Sequence, residues 1–447
     1  MKAFGAFVSS FFLTMRFFGW LGGLVVLFVL AYFYPNMTWL PELGVTLLAG
    51  WVLADVGLLY VRKGGVWASR DVAERLSNGD ENPVLLSIEN QYAHPIQVEI
   101  LDELPLQFQE RDFKIQIQLK TGASQTQTYM LRPTQRGAYA FGALRVFVQT
   151  RIGLVQRRFT FEEHKIVPVY PSYLQMQKYE LYAISNRLTD VGVKQIRRVG
   201  RATNFEQIRT YVAGDEPRTM NWRATARRGD LMVNQYEEEK AQQVYSVLDL
   251  GRTMQMPFAN MSLLDYAINA ALVISNVAIV KQDKAGLVLF SDQMPRLIPA
   301  DRKKRQMAHI QEALYRVQTA FLESNFERLY SHLHRHIPQR SLLLFYTNFE
   351  TLSGMRRRLP YLQALAKRHL VVVILFENTE LRELLDTRPK KTEDLYIKTI
   401  AEKVRFEKRE MVNELNRHGI QTILTPPEHL TVKTINQYLA LKARGVI

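Results

Sequence analysis

Two long apolar stretches open the chain and are separated by a short turn. Residues 17–34 form one apolar run, and residues 43–61 form a second run that only Asp55 interrupts. Each run is close to the roughly 20 residues that a helix needs to cross the hydrocarbon core of a bilayer. Pro35 and Pro41 lie between the runs, in a segment too short to hold a domain. The pattern therefore predicts a hairpin of two transmembrane helices.

Basic side chains flank this hairpin on both sides, whereas the turn between its helices carries no lysine or arginine; the flanking residues are Lys2, Arg16, Arg62, Lys63 and Arg70. Because positive charge stays on the cytoplasmic side, we expect both ends of the hairpin and the rest of the chain to lie in the cytoplasm, at a bacterial inner membrane. A cleaved signal peptide is the alternative for the first run. No small-residue cleavage site follows it, and a second run comes at once, which favours the hairpin.

Asp55 is the one ionisable residue within the second run. An ionisable group in a membrane span is costly and often marks a function. The alternative is structural: the residue lies near a helix end or faces the partner helix. We favour the structural interpretation.

Beyond the hairpin the pattern changes to short alternating stretches between Gly, Asn, Asp and Pro residues. Such stretches occur at residues 84–89, 96–100, 113–119 and 144–148. Period-two alternation is typical of antiparallel strands with one buried face. We expect a small antiparallel β-sandwich domain over residues 65–170.

From residue 243 onward, near-continuous apolar strands alternate with helices. Strands are predicted at residues 244–250, 285–290, 342–346, 370–376 and 421–424. This alternation indicates an α/β domain with a parallel sheet covered on both faces. Residues 263–280 resemble a third membrane span, but Asp265, Asn269 and Asn276 favour a core helix. The predicted division is 1–64 (hairpin), 65–170 (β-sandwich), 171–242 (connecting segment) and 243–447 (α/β domain).

Composition narrows the possible chemistry. The chain has 447 residues, no cysteine, a net charge of +15 and a pI near 9.7. The absence of cysteine excludes disulfides, thiol catalysis and thiolate zinc sites, and it fits a reducing cytosol. The positive charge favours acidic partners, which include anionic lipid, an acidic protein surface and nucleic acid.

Two segments carry the most specific residues. The loop after the first α/β strand reads Asp249-Leu-Gly251-Arg-Thr253, and the fourth strand ends in Thr347-Asn348. Upstream, residues 211–237 contain a Tyr, a Gly-Asp, an Arg, a Trp, an Ala-Arg and a closing Tyr-Glu; the candidate recognition residues among them are Asp215, Arg218, Trp222 and Arg227. This spaced pattern resembles the signature of the bacterial family called domain of unknown function 58. The resemblance covers roughly residues 65 to 447.

The resemblance implies that the carboxyl domain is similar to a von Willebrand factor A domain, a Rossmann-type α/β fold. Such domains hold Mg²⁺ in a metal-ion-dependent adhesion site, with oxygens from an Asp-x-Ser-x-Ser loop, a Thr and a later Asp. Here Asp249 and Thr253 match two of these ligands. Gly251 offers no oxygen and Asn348 replaces the later carboxylate, so we expect a degenerate site whose loops still bind a partner.

The signature residues allow two interpretations. In the structural one, Asp215 caps a turn while Arg218 and Arg227 pair with carboxylates. In the functional one, the arginines hold a partner's carboxylates, since bidentate contacts suit planar acidic groups. The same surface then serves partner binding together with Trp222.

The combined expectation is a membrane-anchored adaptor that is not an enzyme. The resemblance implies partnership with a MoxR-type AAA+ ATPase in assembling or remodelling protein complexes. No Walker loop, GxGxxG motif or Gly-x-Ser-x-Gly elbow is present. Two alternatives stay open: a metal-dependent hydrolase that uses Asp249 with Asp215 or Asp292, and nucleic-acid binding through the basic surface.

Overall fold

The computed structural model describes residues 2–34, 37–62, 64–110, 113–161, 164–184, 204–212, 215, 217–237, 241–319, 321–386 and 392–446. These residues form two compact units, Met1–Tyr170 and Pro171–Ile447. In the first unit the elements run in the order α1 (Lys2–Ser10), β1 (Phe11–Leu13), α2 (Met15–Phe33), α3 (Trp39–Tyr60), β2 (Val66–Asp71), β3 (Leu76–Ser77), β4 (Asn82–Asn90), β5 (Ile96–Asp102), β6 (Lys114–Leu119), β7 (Ser124–Leu131), β8 (Gly137–Phe141), β9 (Leu144–Gln149), β10 (Val155–Phe161) and β11 (Lys165–Tyr170).

The two apolar runs form the long helices α2 and α3. Both are long and apolar enough to cross a membrane, and most of their side chains are left uncovered by protein. Gly44 of α3 lets the helices approach each other, because a side chain at this position would collide with Leu24 of α2. The hairpin therefore combines close helix packing with an apolar outer surface, which suits membrane anchoring.

The strands of the first unit form three sheets around an apolar core. Their strand orders are β1-β10-β9-β5-β6, β2-β4-β7 and β3-β11-β8. All pairs except β3 with β11 are antiparallel. The burial alternates along the strands, as in β5, so the apolar side chains of one face make the core.

Asp55 ties α3 to this β structure. It is fully buried and accepts hydrogen bonds from the Thr150 hydroxyl and from the backbone N–H groups of Leu154 (2.9 Å) and Val155 (2.8 Å). Asp55 lies near the carboxyl end of α3, as the structural interpretation has it. Its recorded partners belong to the turn between β9 and β10 rather than to the partner helix α2.

The second unit contains the α/β elements. They are α4 (Tyr173–Ile184), β12 (Asn204–Thr210), α5 (Trp222–Arg228), β13 (Met232–Glu237), β14 (Gln243–Asp249), β15 (Pro257–Phe258), β16 (Met261–Ser262), α6 (Leu263–Val280), β17 (Lys284–Phe290), β18 (Arg296–Asp301), α7 (Lys304–Tyr315), α8 (Phe326–His336), β19 (Leu342–Tyr346), α9 (Leu352–Ala366), β20 (Leu370–Phe376), α10 (Thr379–Asp386), α11 (Thr392–Arg417), β21 (Gln421–Thr425) and α12 (Leu430–Ala443).

A six-stranded sheet in the order β18-β17-β14-β19-β20-β21 organises this unit. Apolar cores cover both of its faces, with α6, α7 and α12 on one face and α8, α9 and α11 on the other. The expectation of a purely parallel sheet is wrong at one edge, because β18 runs antiparallel to β17. Residues 291–295 alone connect these two strands, and so short a connection permits only an antiparallel return.

Helix α6 is buried in the core of this unit rather than exposed as a membrane span would be. Its polar residues have partners there: Ser262 caps the helix by accepting a hydrogen bond from the Asp265 N–H, and the Asn269 side chain accepts one from the Ser172 N–H at 2.9 Å. Its length and composition alone would suit a membrane span. The buried partners explain why polar residues interrupt its apolar sequence.

The predicted connecting segment also contains ordered structure. Strands β12 and β13 pair antiparallel, and α5 lies between them in the sequence. Asn221 caps α5 by accepting a hydrogen bond from the Ala224 N–H at 2.9 Å. Gly229 ends the helix with a φ of 81°, a backbone conformation that glycine adopts without strain. This hairpin positions the signature residues.

Candidate functional site

Asp249 closes β14 at the carboxyl edge of the sheet, the edge at which open α/β sheets bind ligands. The residue is 3% exposed. Its Oδ1 accepts hydrogen bonds from the Gly251 N–H at 2.9 Å and from the Ser324 hydroxyl, and its Oδ2 accepts one from the Thr347 hydroxyl at 2.6 Å. The carboxylate therefore joins the ends of β14 and β19 to the loop that precedes α8.

The electrostatics of Asp249 follow from this enclosure. Burial raises the pKa of the carboxyl group, because the charged form loses its hydration. The hydrogen bonds from Ser324, Thr347 and Gly251, and the positive charge of Arg358, act in the opposite direction. Hydrogen-bond donors of the protein thus replace the hydration that the Asp249 carboxylate loses on burial.

Gly251 is required by the close approach of Ser324. A Cβ atom built on Gly251 would lie 2.6 Å from the Ser324 Oγ and 3.2 Å from the Ser324 backbone nitrogen. A serine at position 251 would therefore require the Ser324 side chain and its backbone to shift, which would disturb the hydrogen bond from Ser324 to Asp249. In an Asp-x-Ser loop, a serine at position 251 would place a hydroxyl beside Asp249. Here Ser324 places its hydroxyl there, and this hydroxyl donates a hydrogen bond to Asp249.

Asn348 makes a different contact. It follows Thr347 directly after β19, is 6% exposed, and its Oδ1 accepts a hydrogen bond from the Lys408 ammonium of α11. Lys408 also donates to the Phe349 carbonyl at 2.7 Å. Burial lowers the pKa of Lys408 to about 8.

A cavity of about 380 Å³ opens beside these groups. Thr253, in the turn Arg252–Gln255, lines it together with Asn348 and Lys408. Apolar side chains form much of the remaining wall, among them Met256, Phe349, Phe376, Leu381 and Val404. Thr253 and Asn348 thus line one cavity, whereas the buried Asp249 accepts hydrogen bonds from the neighbouring loops.

These contacts do not fit a Mg²⁺ adhesion site. Both oxygens of Asp249 already accept hydrogen bonds, and the oxygen of Asn348 faces a lysine ammonium, which repels a metal cation. Within the described part of the chain, no group of three or more His, Cys, Asp or Glu side chains is arranged to hold a metal ion. Asp249 is thus engaged by donors of the protein itself, and Thr253 lines the neighbouring cavity.

The signature places Asp215 in a local clamp. Its Oδ1 accepts a hydrogen bond from Arg209 at 2.6 Å, and its Oδ2 accepts one from Arg209 at 2.9 Å and one from the Val212 N–H at 2.9 Å. The hydrogen bond from Arg209 lowers the pKa of Asp215. Asp215 thus accepts hydrogen bonds at the turn after β12, as the structural interpretation expects of this residue, whereas no ion pair of Arg227 with a carboxylate is recorded among the described residues.

Trp222 and Arg227 lie on α5, beyond this clamp. Trp222 is 68% exposed and Arg227 is exposed as well. Arg227 is not in any of the ion pairs recorded among the described residues. Arg218 lies in the turn Pro217–Thr219, and its side chain is outside the described residues. Trp222 and Arg227 are therefore available to a partner, whereas Asp215 is engaged within the hairpin.

Sequence reasoning missed three residues of these sites: Ser324, Lys408 and Arg209. Ser324 precedes Asn325, whose side chain caps α8, so a helix start was visible there but its approach to Asp249 was not. Lys408 stands in a long charged helix in which nothing distinguishes it from its neighbours. Arg209 lies in β12, and nothing in the sequence around it points to a contact with Asp215.

Comparisons with solved structures return weak matches. The PapD-like domain 7 of human CEP192 covers 24% of this chain and 83% of its own, with 12% identity and a TM-score of 0.18. A CARDB domain from Pyrococcus furiosus covers 23% of this chain and 86% of its own, with 12% identity and a TM-score of 0.17. TM-scores this low carry no argument about the present fold.

Sequence comparisons are more specific. A protein of Bacillus subtilis (strain 168), named Uncharacterized protein YeaD, is 27% identical over 128 residues, which make up 28% of this chain and 31% of that protein. The chain thus spans less than a third of this relative. Residues 207–415, which contain the signature and most of the α/β sheet, match the model of the family described as Protein of unknown function DUF58.

Proposed function

We propose that this chain is a membrane-anchored protein-interaction protein rather than an enzyme. Helices α2 and α3 anchor it, the β sheets that Asp55 ties to α3 hold it at the membrane surface, and the second unit engages other proteins. The proposal places the bulk of the chain in the cytoplasm at a bacterial inner membrane.

The α/β part of the second unit is proposed to be a von Willebrand factor A-like domain of Rossmann type. The strand order supports this, since the first strand β14 lies in the middle of the sheet and the order reverses beside it. Such a reversal creates a crevice at the carboxyl ends of the strands. Asp249 and Thr347 end the two strands that flank this crevice.

The observation that carries the interaction function is the exposure of Trp222. A tryptophan that is 68% exposed leaves a large apolar ring in water. It shares α5 with the exposed residues Arg223, Arg227 and Arg228. Tryptophan and arginine are the residue types that dominate binding energy at protein interfaces. We therefore assign α5 to a partner-binding surface.

The proposed partner is a MoxR-type AAA+ ATPase, with which the protein would assist the assembly or remodelling of protein complexes. The positive surface of α5 and the net charge of +15 suit an acidic face on such a partner. Arginine forks bind the carboxylates of such a face with defined geometry.

Binding measurements on the full-length chain in lipid nanodiscs test this proposal. Purified MoxR-type ATPase from the same organism is expected to bind, and Trp222→Ala is expected to weaken binding by about 2 kcal/mol, or roughly 30-fold. Trp67→Ala is the matched control, because Trp67 is a half-exposed tryptophan of the first unit. Equal affinity of both variants, or no binding by the unaltered chain, would contradict the proposal.

A further inference from the structure

We propose that the cavity lined by Thr253, Asn348 and Lys408 binds an acidic-apolar peptide segment of a protein partner, with its carboxylate on the Lys408 ammonium. This deepens the proposed interaction function and rests on it. In this arrangement a lysine cation performs the task for which an adhesion site uses a metal ion. The site then binds acidic partners without a metal.

The hydrogen bonding of Lys408 leaves room for such a ligand. An ammonium group has three N–H donors, and the described residues supply acceptors to two of them, Asn348 Oδ1 and Phe349 O. Both acceptors are neutral, so the charge of Lys408 is not compensated in direct contact. A carboxylate in the cavity would complete both the hydrogen bonding and the charge balance.

The charges around the cavity favour an anion. Its lining includes the cationic side chains of Arg252, Arg405, Lys408 and Arg409, but only two carboxylates, those of Glu350 and Glu377. Arg252 is paired with Glu350 at 3.2 Å. Arg405, Lys408 and Arg409 of α11 are the other basic side chains of the lining, and they attract acidic ligands and repel basic ones.

The shape of the surface favours a peptide over a small anion. Helix α11 carries Ile397, Ile400, Val404 and Lys408 at intervals of three and four residues, so they share one face of the helix. Ile397 is 49% exposed and Ile400 is 48% exposed. An apolar stripe therefore runs out of the cavity along α11, where it can cover the side chains of a bound segment.

Selection of short peptides from a phage-displayed library, against the full-length chain in lipid nanodiscs, tests this assignment. We expect the selected peptides to place Asp or Glu beside aliphatic or aromatic residues. Lys408→Met should weaken their binding by about tenfold or more. Lys403→Met is the matched control, because this exposed lysine of α11 is not among the residues that line the cavity.

A second variant guards against misfolding of Lys408→Met. Leu381→Trp fills the cavity from α10 and leaves Lys408 in place, so it should also abolish peptide binding. Two results would overturn the assignment. The selected peptides would lack acidic residues, or acidic peptides would bind Lys408→Met and Leu381→Trp as tightly as they bind Lys403→Met. If a fatty acid bound as tightly as the peptides, the assignment of a peptide as the ligand would be overturned.

The two proposals fail separately. Lys408-dependent peptide binding without ATPase binding would leave the cavity assignment standing and remove the proposed partner. ATPase binding by a chain that shows no Lys408-dependent peptide binding would leave the proposed partner standing and remove the cavity assignment.

Discussion

Asp55 of α3 and Thr150 of the β9–β10 turn are hydrogen-bonded, although they are 95 residues apart in the sequence. The same carboxylate accepts the backbone N–H groups of Leu154 and Val155. Just before α2, the Thr14 hydroxyl donates to the Gly153 carbonyl at 2.6 Å. The residue before α2 and the carboxyl-terminal part of α3 therefore both bind one turn of the β structure.

Asp55→Ala should loosen this turn. It removes the acceptor of the Thr150 hydroxyl and of the Leu154 and Val155 N–H groups, so these buried donors lose their hydrogen bonds. We expect a local loss of about 3 kcal/mol and hydrogen exchange on the order of 100-fold faster at the amides of Leu154 and Val155.

The control for this experiment is Glu42→Ala, which removes an exposed carboxylate of the same helix. Exchange in β4 and β7 serves as an internal standard, since these strands lie outside the turn. Unchanged exchange at residues 154 and 155 would show that Asp55 does not hold the turn.

The topology of the hairpin can be tested cleanly because the chain has no cysteine. A single cysteine in place of Met37, in the exposed turn between the helices, is expected to react with a membrane-impermeant maleimide added outside intact spheroplasts. A cysteine in place of Ser124, at the exposed start of β7, should react only after the membrane is opened. Labelling of the second position in intact spheroplasts would refute the proposed orientation.

Elements whose fold depends on local periodicity were predictable. The strands β19 and β20 and the helix α6 have the bounds that their apolar patterns predict. Strand β18 was missed, because Arg296–Asp301 is short, contains a proline and lies at an edge where only one neighbour constrains it. Strands β12 and β13 fall in the predicted connecting segment 171–242, because polar residues fill both strands and hide the alternation.

The candidate site was predictable only as far as it consists of strand ends. Asp249, Thr253 and Asn348 are predictable because they lie at or shortly after the ends of strands β14 and β19. Ser324 and Lys408 approach these residues from 75 and 60 positions away, through loop and helix packing that no local pattern encodes. Long-range side-chain pairs of this kind require the tertiary structure.

Substitutions at Asp249 distinguish a structural carboxylate from a metal ligand. Asp249→Ala leaves the donors of Ser324, Thr347 and Gly251 without their buried acceptor, at a cost of about 3 kcal/mol. Asp249→Asn should cost less, because its oxygen still accepts and the hydroxyl groups can rotate to accept from its NH₂ group.

Thermal unfolding of the chain with and without Mg²⁺ measures both effects. We expect the unaltered chain to have the highest melting temperature, followed by Asp249→Asn and then Asp249→Ala. Adding EDTA should leave all three melting temperatures unchanged. Two results together would instead indicate that Asp249 is a metal ligand. Mg²⁺ would raise the melting temperature of the unaltered chain, and both substitutions would lower the melting temperature by the same amount.

Peptide binding at the cavity should depend on pH through Lys408. The ordinary pKa of lysine is 10.5, and burial lowers that of Lys408 to about 8. Below pH 8 the ammonium is charged and the affinity for an acidic peptide should be constant. As the pH rises above about 8, the ammonium deprotonates and the affinity should fall by up to about tenfold per pH unit.

The same shift has a defined effect on stability. Between pH 8 and 10.5 the unfolded chain binds more protons at this lysine than the folded chain does, so the free energy of unfolding should rise with pH over this range, other groups being equal. Peptide binding and stability therefore change in opposite directions. Titrations of Lys408→Met should lack both trends, whereas Lys403→Met should keep them. A parallel loss of binding and stability in the unaltered chain would contradict the assignment, because it would indicate unfolding rather than deprotonation of Lys408.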